Sequence, residues 1–122
     1  MVLYRNKNKM LILLNLKHIS IDEINKDYGN DWLYIGRRST KYNLTESILH
    51  NPFVGKRYET IEKYRHHLWK MIKNKNEEVI QLLDNMGKGK YSALVCYCAP
   101  LPCHGDIIIM AANWLIKESY AK

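Results

Sequence analysis

The chain has 122 residues, 47% apolar and 25% charged, which fits one soluble globular domain over residues 1–122. That composition excludes a disordered chain, a collagen-like repeat and a disulfide-dense miniprotein. With 19 Lys and Arg against 12 Asp and Glu, the net charge is +7, and some affinity for polyanions is expected. Three cysteines, with Cys96 and Cys98 only two positions apart, do not make a secreted disulfide framework and point to a reducing, cytoplasmic compartment.

The opening stretch, MVLYRNKNKMLILLNLKH, mimics a signal peptide: basic residues, then an apolar run. The run over residues 10–14 is too short, and Asn15, Lys17 and His18 follow without a small-residue cleavage site. Residues 10–16 instead read as a buried strand. Residues 21–27 read as a short helical turn, with Ser20 and Asp22 as candidate caps. Residues 31–37, DWLYIGR, form a second predicted strand that ends at Gly36. Residues 37–57 show no period and are rich in turn formers, so a long loop is expected, of the kind that is usually functional.

Apolar positions Ile61, Tyr64, Leu68 and Ile72 recur at spacings of three and four and predict a helix over 58–74. A second helix is expected over 77–86, stopped by Gly87-Lys88-Gly89. YSALVCYCA, residues 91–99, is apolar on both faces, as a central strand covered by helices would be. The turn PLPC leads into a last helix over about residues 105–119. Its apolar part, residues 107–116, contains Asn113 and falls short of the ~20 residues a membrane span needs, so no membrane role is expected. The order of elements predicts a small three-layer α/β domain with a partly parallel central sheet flanked by helices.

In open α/β sheets, ligands sit beyond the carboxyl ends of the strands. Gly36-Arg37-Arg38 follows the second predicted strand, and the segment from Cys98 to Gly105 follows the third. The second segment turns a strand into a helix whose first-turn N–H groups and dipole favour an anion. Arg37 suits phosphate because its planar donors bind it bidentately. The loop over 37–57 adds five basic residues and one acid, Glu46.

These residues carry a resemblance. YIGR at 34–37, Asn51-Pro52-Phe53, the pair Tyr64-Arg65 and CYCAPLPCHG at 96–105 together resemble domain of unknown function 4326, a family of bacteria and phages. The layout of strand, Cys, turn, Cys-His and helix is also similar to another uncharacterised α/β family whose element reads roughly LLCAE…CHR. The resemblance spans roughly residues 31–116 and implies an α/β fold with a site formed by these motifs. It implies no particular reaction.

Each candidate has a structural alternative. Cys96 and Cys98 share one strand face, where buried cysteines are common. Zinc is not expected, because Cys-x-Cys-x4-Cys-His is more compact than the usual paired knuckles. A Cys98–Cys103 disulfide is within reach but disfavoured in a reducing compartment. Cys103, at a helix start beside a histidine, is a candidate thiolate nucleophile or a small packed residue. His104 is a candidate ligand or catalytic residue, against a turn-stabilising hydrogen bond. Asp106 is a candidate acid/base, against a helix cap. Phe53, the only Phe, is a core anchor or a stacking ring, with Asn51 beside it as a candidate ligand contact. Gly105 permits close approach of a backbone or a ligand. Neither Arg37 nor His104 needs to be core.

The expected function is a pocket for a nucleotide-like or other phosphorylated small molecule, with hydrolysis or transfer at a glycosidic or phosphate bond as the candidate chemistry. Walker and GxGxxG patterns are missing, which argues against P-loop and dinucleotide binding. No cofactor is expected. The alternatives are a non-catalytic binding protein, acting as a ligand sponge or on a host protein, and a weak, salt-dependent nucleic-acid binder. In the expected pocket Gly36, Arg37, Asn51, Phe53, Cys98, Gly105 and the trio Cys103, His104 and Asp106 converge at the carboxyl edge of the sheet.

Overall fold

The computed structural model describes residues 3–6, 9–97 and 104–120. Four strands, β1 (Leu3–Asn6), β2 (Lys9–Asn15), β3 (Trp32–Tyr34) and β4 (Ala93–Cys96), form one sheet in the order β1-β2-β4-β3. β1 pairs antiparallel with β2, while β2 and β3 both run parallel to β4. The helices are α1 (Ile21–Tyr28), α2 (Arg57–Lys73), α3 (Glu77–Gly87) and α4 (His104–Tyr120).

Strand alternation divides the core in two. Leu11, Leu13, Leu94 and Cys96 face one side and pack against Tyr64 and Leu68 of α2, Leu83 of α3 and Ile108 and Ala112 of α4. Leu16, Tyr34 and Val95 face the other and pack against Ile24 of α1. The chain is therefore three layers deep, helix on sheet on helices, as its pattern predicts. The right-handed crossover rule accounts for the division. The step from β2 to β3 passes over β4 in one direction and the step from β3 to β4 returns in the other, so their helices fall on opposite faces.

Local chemistry sets the element ends. Ser20 caps α1: its hydroxyl accepts from the Glu23 N–H at 3.1 Å and donates to the Glu23 carboxylate at 3.2 Å. Asp22 sits in the first turn rather than at the cap. Asn76 caps α3 through the Val79 N–H at 3.2 Å. All four residues of β4 are buried, as a strand covered on both faces requires.

Three expectations need correction. The strand predicted over 31–37 is shorter, because only the Ile35 N–H continues the ladder, to Val95 O at 3.0 Å. Beyond it the Gly36 carbonyl accepts from Ser47 N–H and the Arg37 carbonyl from the Tyr34 hydroxyl. The strand predicted over 91–99 spans Ala93–Cys96, with Cys98 and Ala99 outside the described residues. β1 was not expected at all. Its four residues lie in a basic flank without apolar alternation, and only pairing with β2 makes them a strand.

The long loop is highly organised. Ser39 and Leu44 bridge to close a small hairpin, with Asn43 in the left-handed region at φ 54°. Tyr42 of this hairpin packs on Tyr97, whose hydroxyl donates to Ser39 Oγ at 2.6 Å. The hairpin thereby covers the α1 face of the sheet, and the remainder of the loop turns to the opposite side.

Candidate functional site

An open cleft of about 450 Å³ lies at the carboxyl ends of β3 and β4. Gly36, Arg37, Asn51, Phe53 and His104 all line it, so the structure gathers five of the predicted residues. Arg57, Thr60 and Ile61 enter from the first turns of α2, and Cys96 and Tyr97 from the end of β4.

Arg37 organises one wall. Its Nε donates to Asn51 O at 2.9 Å and its Nη2 to Phe53 O at 2.8 Å. The Asn51 side chain accepts from the Phe53 N–H at 3.0 Å, an Asx turn across Pro52. Asn51 and Phe53 therefore reach the cleft through a bracket built on one guanidinium. The side chain expected to meet an anion also holds the loop, and its remaining N–H groups and its charge stay at an exposed position. Gly36 precedes it with no room for a Cβ, because the Tyr34 ring lies beneath it.

His104 lies at the cleft's inner end and begins α4. It is 5% exposed, with Nε2 2.7 Å from Ile35 O and its ring edge-to-face with Tyr64 at 5.1 Å. A carbonyl only accepts, so Nε2 carries a proton. This corrects the expectation that His104 need not be core: the imidazole ties the start of α4 to the end of β3. Tyr64 in turn donates from its hydroxyl to Leu49 O at 2.7 Å, anchoring the loop to α2.

Phe53 packs against the core and meets His67 of α2 edge to face at 5.6 Å. Burial, then the charges of His50 and Lys70, hold the His67 imidazole below its ordinary value.

The other predicted residues have different placements. A Cβ on Gly105 would lie 2.7 Å from Leu13 Cδ1 and 3.1 Å from Ile35 Cδ1. Gly105 thus lets α4 approach the sheet; it is absent from the cleft lining. Asp106, half-buried in the first turn of α4, complements the helix dipole and is also absent from that lining. Cys98, Cys103 and the turn between them lie outside the described residues. Cys96 is fully buried at the cleft floor.

Sequence reasoning missed Val54, Gly55, Arg57, Thr60, Ile61 and Tyr97. One signal was available for Arg57: it opens the helix that the long loop leads into, so it shares that loop's edge of the sheet. The electrostatics of the cleft follow. Arg37 and Arg57 are both exposed there, the N-termini of α2 and α4 both contribute to its lining, and no carboxylate lines it among the described residues. Lys56, at the N-cap of α2, supplies no side-chain cap to that helix.

Fold and site together define a small three-layer α/β domain with a basic cleft at the carboxyl edge of its sheet. The chain belongs to the family described as Domain of unknown function (DUF4326), whose model matches residues 19–114. That span includes every residue named in the cleft. No curated protein and no solved structure matches the chain.

Proposed function

We propose that this protein binds a nucleotide-like, phosphorylated small molecule in the cleft. One observation carries the reading: two arginines and two helix N-termini meet in a single cavity with no carboxylate among its described lining residues. Such a site favours an anion, and Arg supplies planar, paired donors for phosphate. Phe53, Val54 and Ile61 add an apolar wall that suits a ring. Turnover, by hydrolysis or transfer at a glycosidic or phosphate bond, is the second reading. It is favoured by the imidazole of His104 at the cleft's inner end.

Calorimetric titration with nucleoside monophosphates, the parent nucleosides and inorganic phosphate tests the first reading. Monophosphates are expected to bind more tightly than either fragment, because both the ring wall and the arginines contribute. Equal or absent binding of all three overturns it. Chromatography of the same mixtures for free base, nucleoside or phosphate tests the second reading.

A further inference from the structure

A second depression, about 470 Å³, runs along the seam between α2 and α4. Trp69, Met110 and Trp114 line it while 47%, 54% and 39% exposed, and the two indole rings meet edge to face at 5.1 Å. Large apolar side chains gathered on an exposed face mark a contact surface.

The groove begins about one turn from the cleft along the same two helices. On α2, Ile61 lines the cleft and Arg65, one turn later, lines the groove. On α4, His104 lines the cleft and Ile107, three residues later, lines the groove. Tyr58, 81% exposed on the first turn of α2, shares a helix face with Arg65 and Trp69 by spacing. An aromatic, a guanidinium and an indole pair thus follow one another outward from the cleft.

We propose that cleft and groove form one track for single-stranded nucleic acid, with a terminal nucleotide in the cleft and the following bases stacked on Tyr58 and the Trp69–Trp114 pair. The inference rests on the cleft taking a nucleotide. Charge selects the occupant. The chain carries +7, and residues 37–57 beside the cleft hold five basic side chains and only Glu46 as an acid. Arg65 lines the groove and no carboxylate does among the described residues; Glu62 nearby stands 3.7 Å from both Arg65 and His66. A second copy of a +7 chain is repelled from such a surface, whereas a polyphosphate strand is drawn to it. Exposed aromatic faces beside basic side chains are how single strands are held without sequence readout. A duplex keeps its bases paired and stacked, and has none to offer the indoles. From Tyr58 to Trp69 the helix advances about 17 Å, enough for about five base steps at about 3.4 Å each.

The test titrates the full chain with a six-nucleotide single strand, the same sequence as a duplex, and a nucleoside monophosphate. Calorimetry and tryptophan fluorescence are the readouts. The single strand is expected to bind about tenfold or more tighter than the monophosphate, to quench tryptophan emission and to outcompete the duplex. Tyr58→Ala and Trp69→Ala are each expected to weaken the single strand by about fivefold or more and leave the monophosphate unchanged. Circular dichroism checks that both variants are folded, and Tyr58→Ala removes a side chain with few packing contacts to lose. A single strand that binds no tighter than the monophosphate, no better than the duplex, or equally to both folded variants overturns the inference while the cleft reading stands. Absence of binding by monophosphate and single strand alike overturns both.

Discussion

His104 Nε2 lies 2.7 Å from the carbonyl oxygen of Ile35, 69 residues away in the chain. This hydrogen bond joins the first residue of the last helix to the end of β3, and it sits at the inner end of the cleft. It closes the edge of the sheet where the two parallel strands finish, and it makes the imidazole a structural member as well as a candidate reactant.

Replacing His104 with Ala is therefore expected to destabilise the fold. The Ile35 carbonyl loses its donor in a buried place, at a cost of about 1–3 kcal/mol, and the edge contact with Tyr64 goes with it. Urea unfolding at neutral pH measures the loss. An unchanged midpoint would show that the bond contributes nothing net.

Arg37→Ala is expected to act on the loop and on the ligand together. The Asn51 and Phe53 carbonyls lose their shared partner, so amides over residues 47–53 should exchange faster with solvent. Binding of a nucleoside monophosphate should weaken by about 1.5–3 kcal/mol, the range of a charged hydrogen bond. Arg37→Lys should not restore the loop, because one ammonium cannot reproduce the planar fork across two carbonyls. Exchange rates unaltered by Arg37→Ala would remove the bracket from the account.

Gly105→Ala is expected to cost about 1–3 kcal/mol through overpacking against Leu13 and Ile35, with no direct effect on the cleft lining. Thermal unfolding reads the change. A variant as stable as the parent would mean that α4 can shift away from the sheet without penalty.

His67 makes stability depend on pH in a definite sense. Its folded value lies below the ordinary 6.5, from burial first and then the charges of His50 and Lys70. The unfolded chain therefore takes up a proton at this site before the folded chain does. Its contribution is full above 6.5 and declines as pH falls through 6.5 towards the depressed folded value. Comparing urea midpoints at about pH 7.5 and about pH 5.5 for the parent and His67→Gln checks this; the variant should lose part of the difference. An equal difference in both would assign the pH dependence to other groups.

Much of the fold was legible because its signals are local. The apolar spacing of Ile61, Tyr64, Leu68 and Ile72 marks α2, Ser20 marks the start of α1, and an uninterrupted apolar run marks β4 as central. The carboxyl-edge rule then placed Gly36, Arg37, Asn51, Phe53 and His104 together, and their convergence follows from β3 and β4 running parallel. Three things belonged to tertiary structure alone. β1 exists only by pairing with β2, since four residues in a basic flank carry no pattern of their own. Arg37 and His104 have backbone carbonyls as partners, and a carbonyl is present at every position of every sequence, so nothing in the residue types pointed to the carbonyls of Asn51, Phe53 and Ile35 as the acceptors. The groove arises because α2 and α4 lie side by side; sequence periodicity shows which face of each helix is apolar, whereas packing decides which two faces meet.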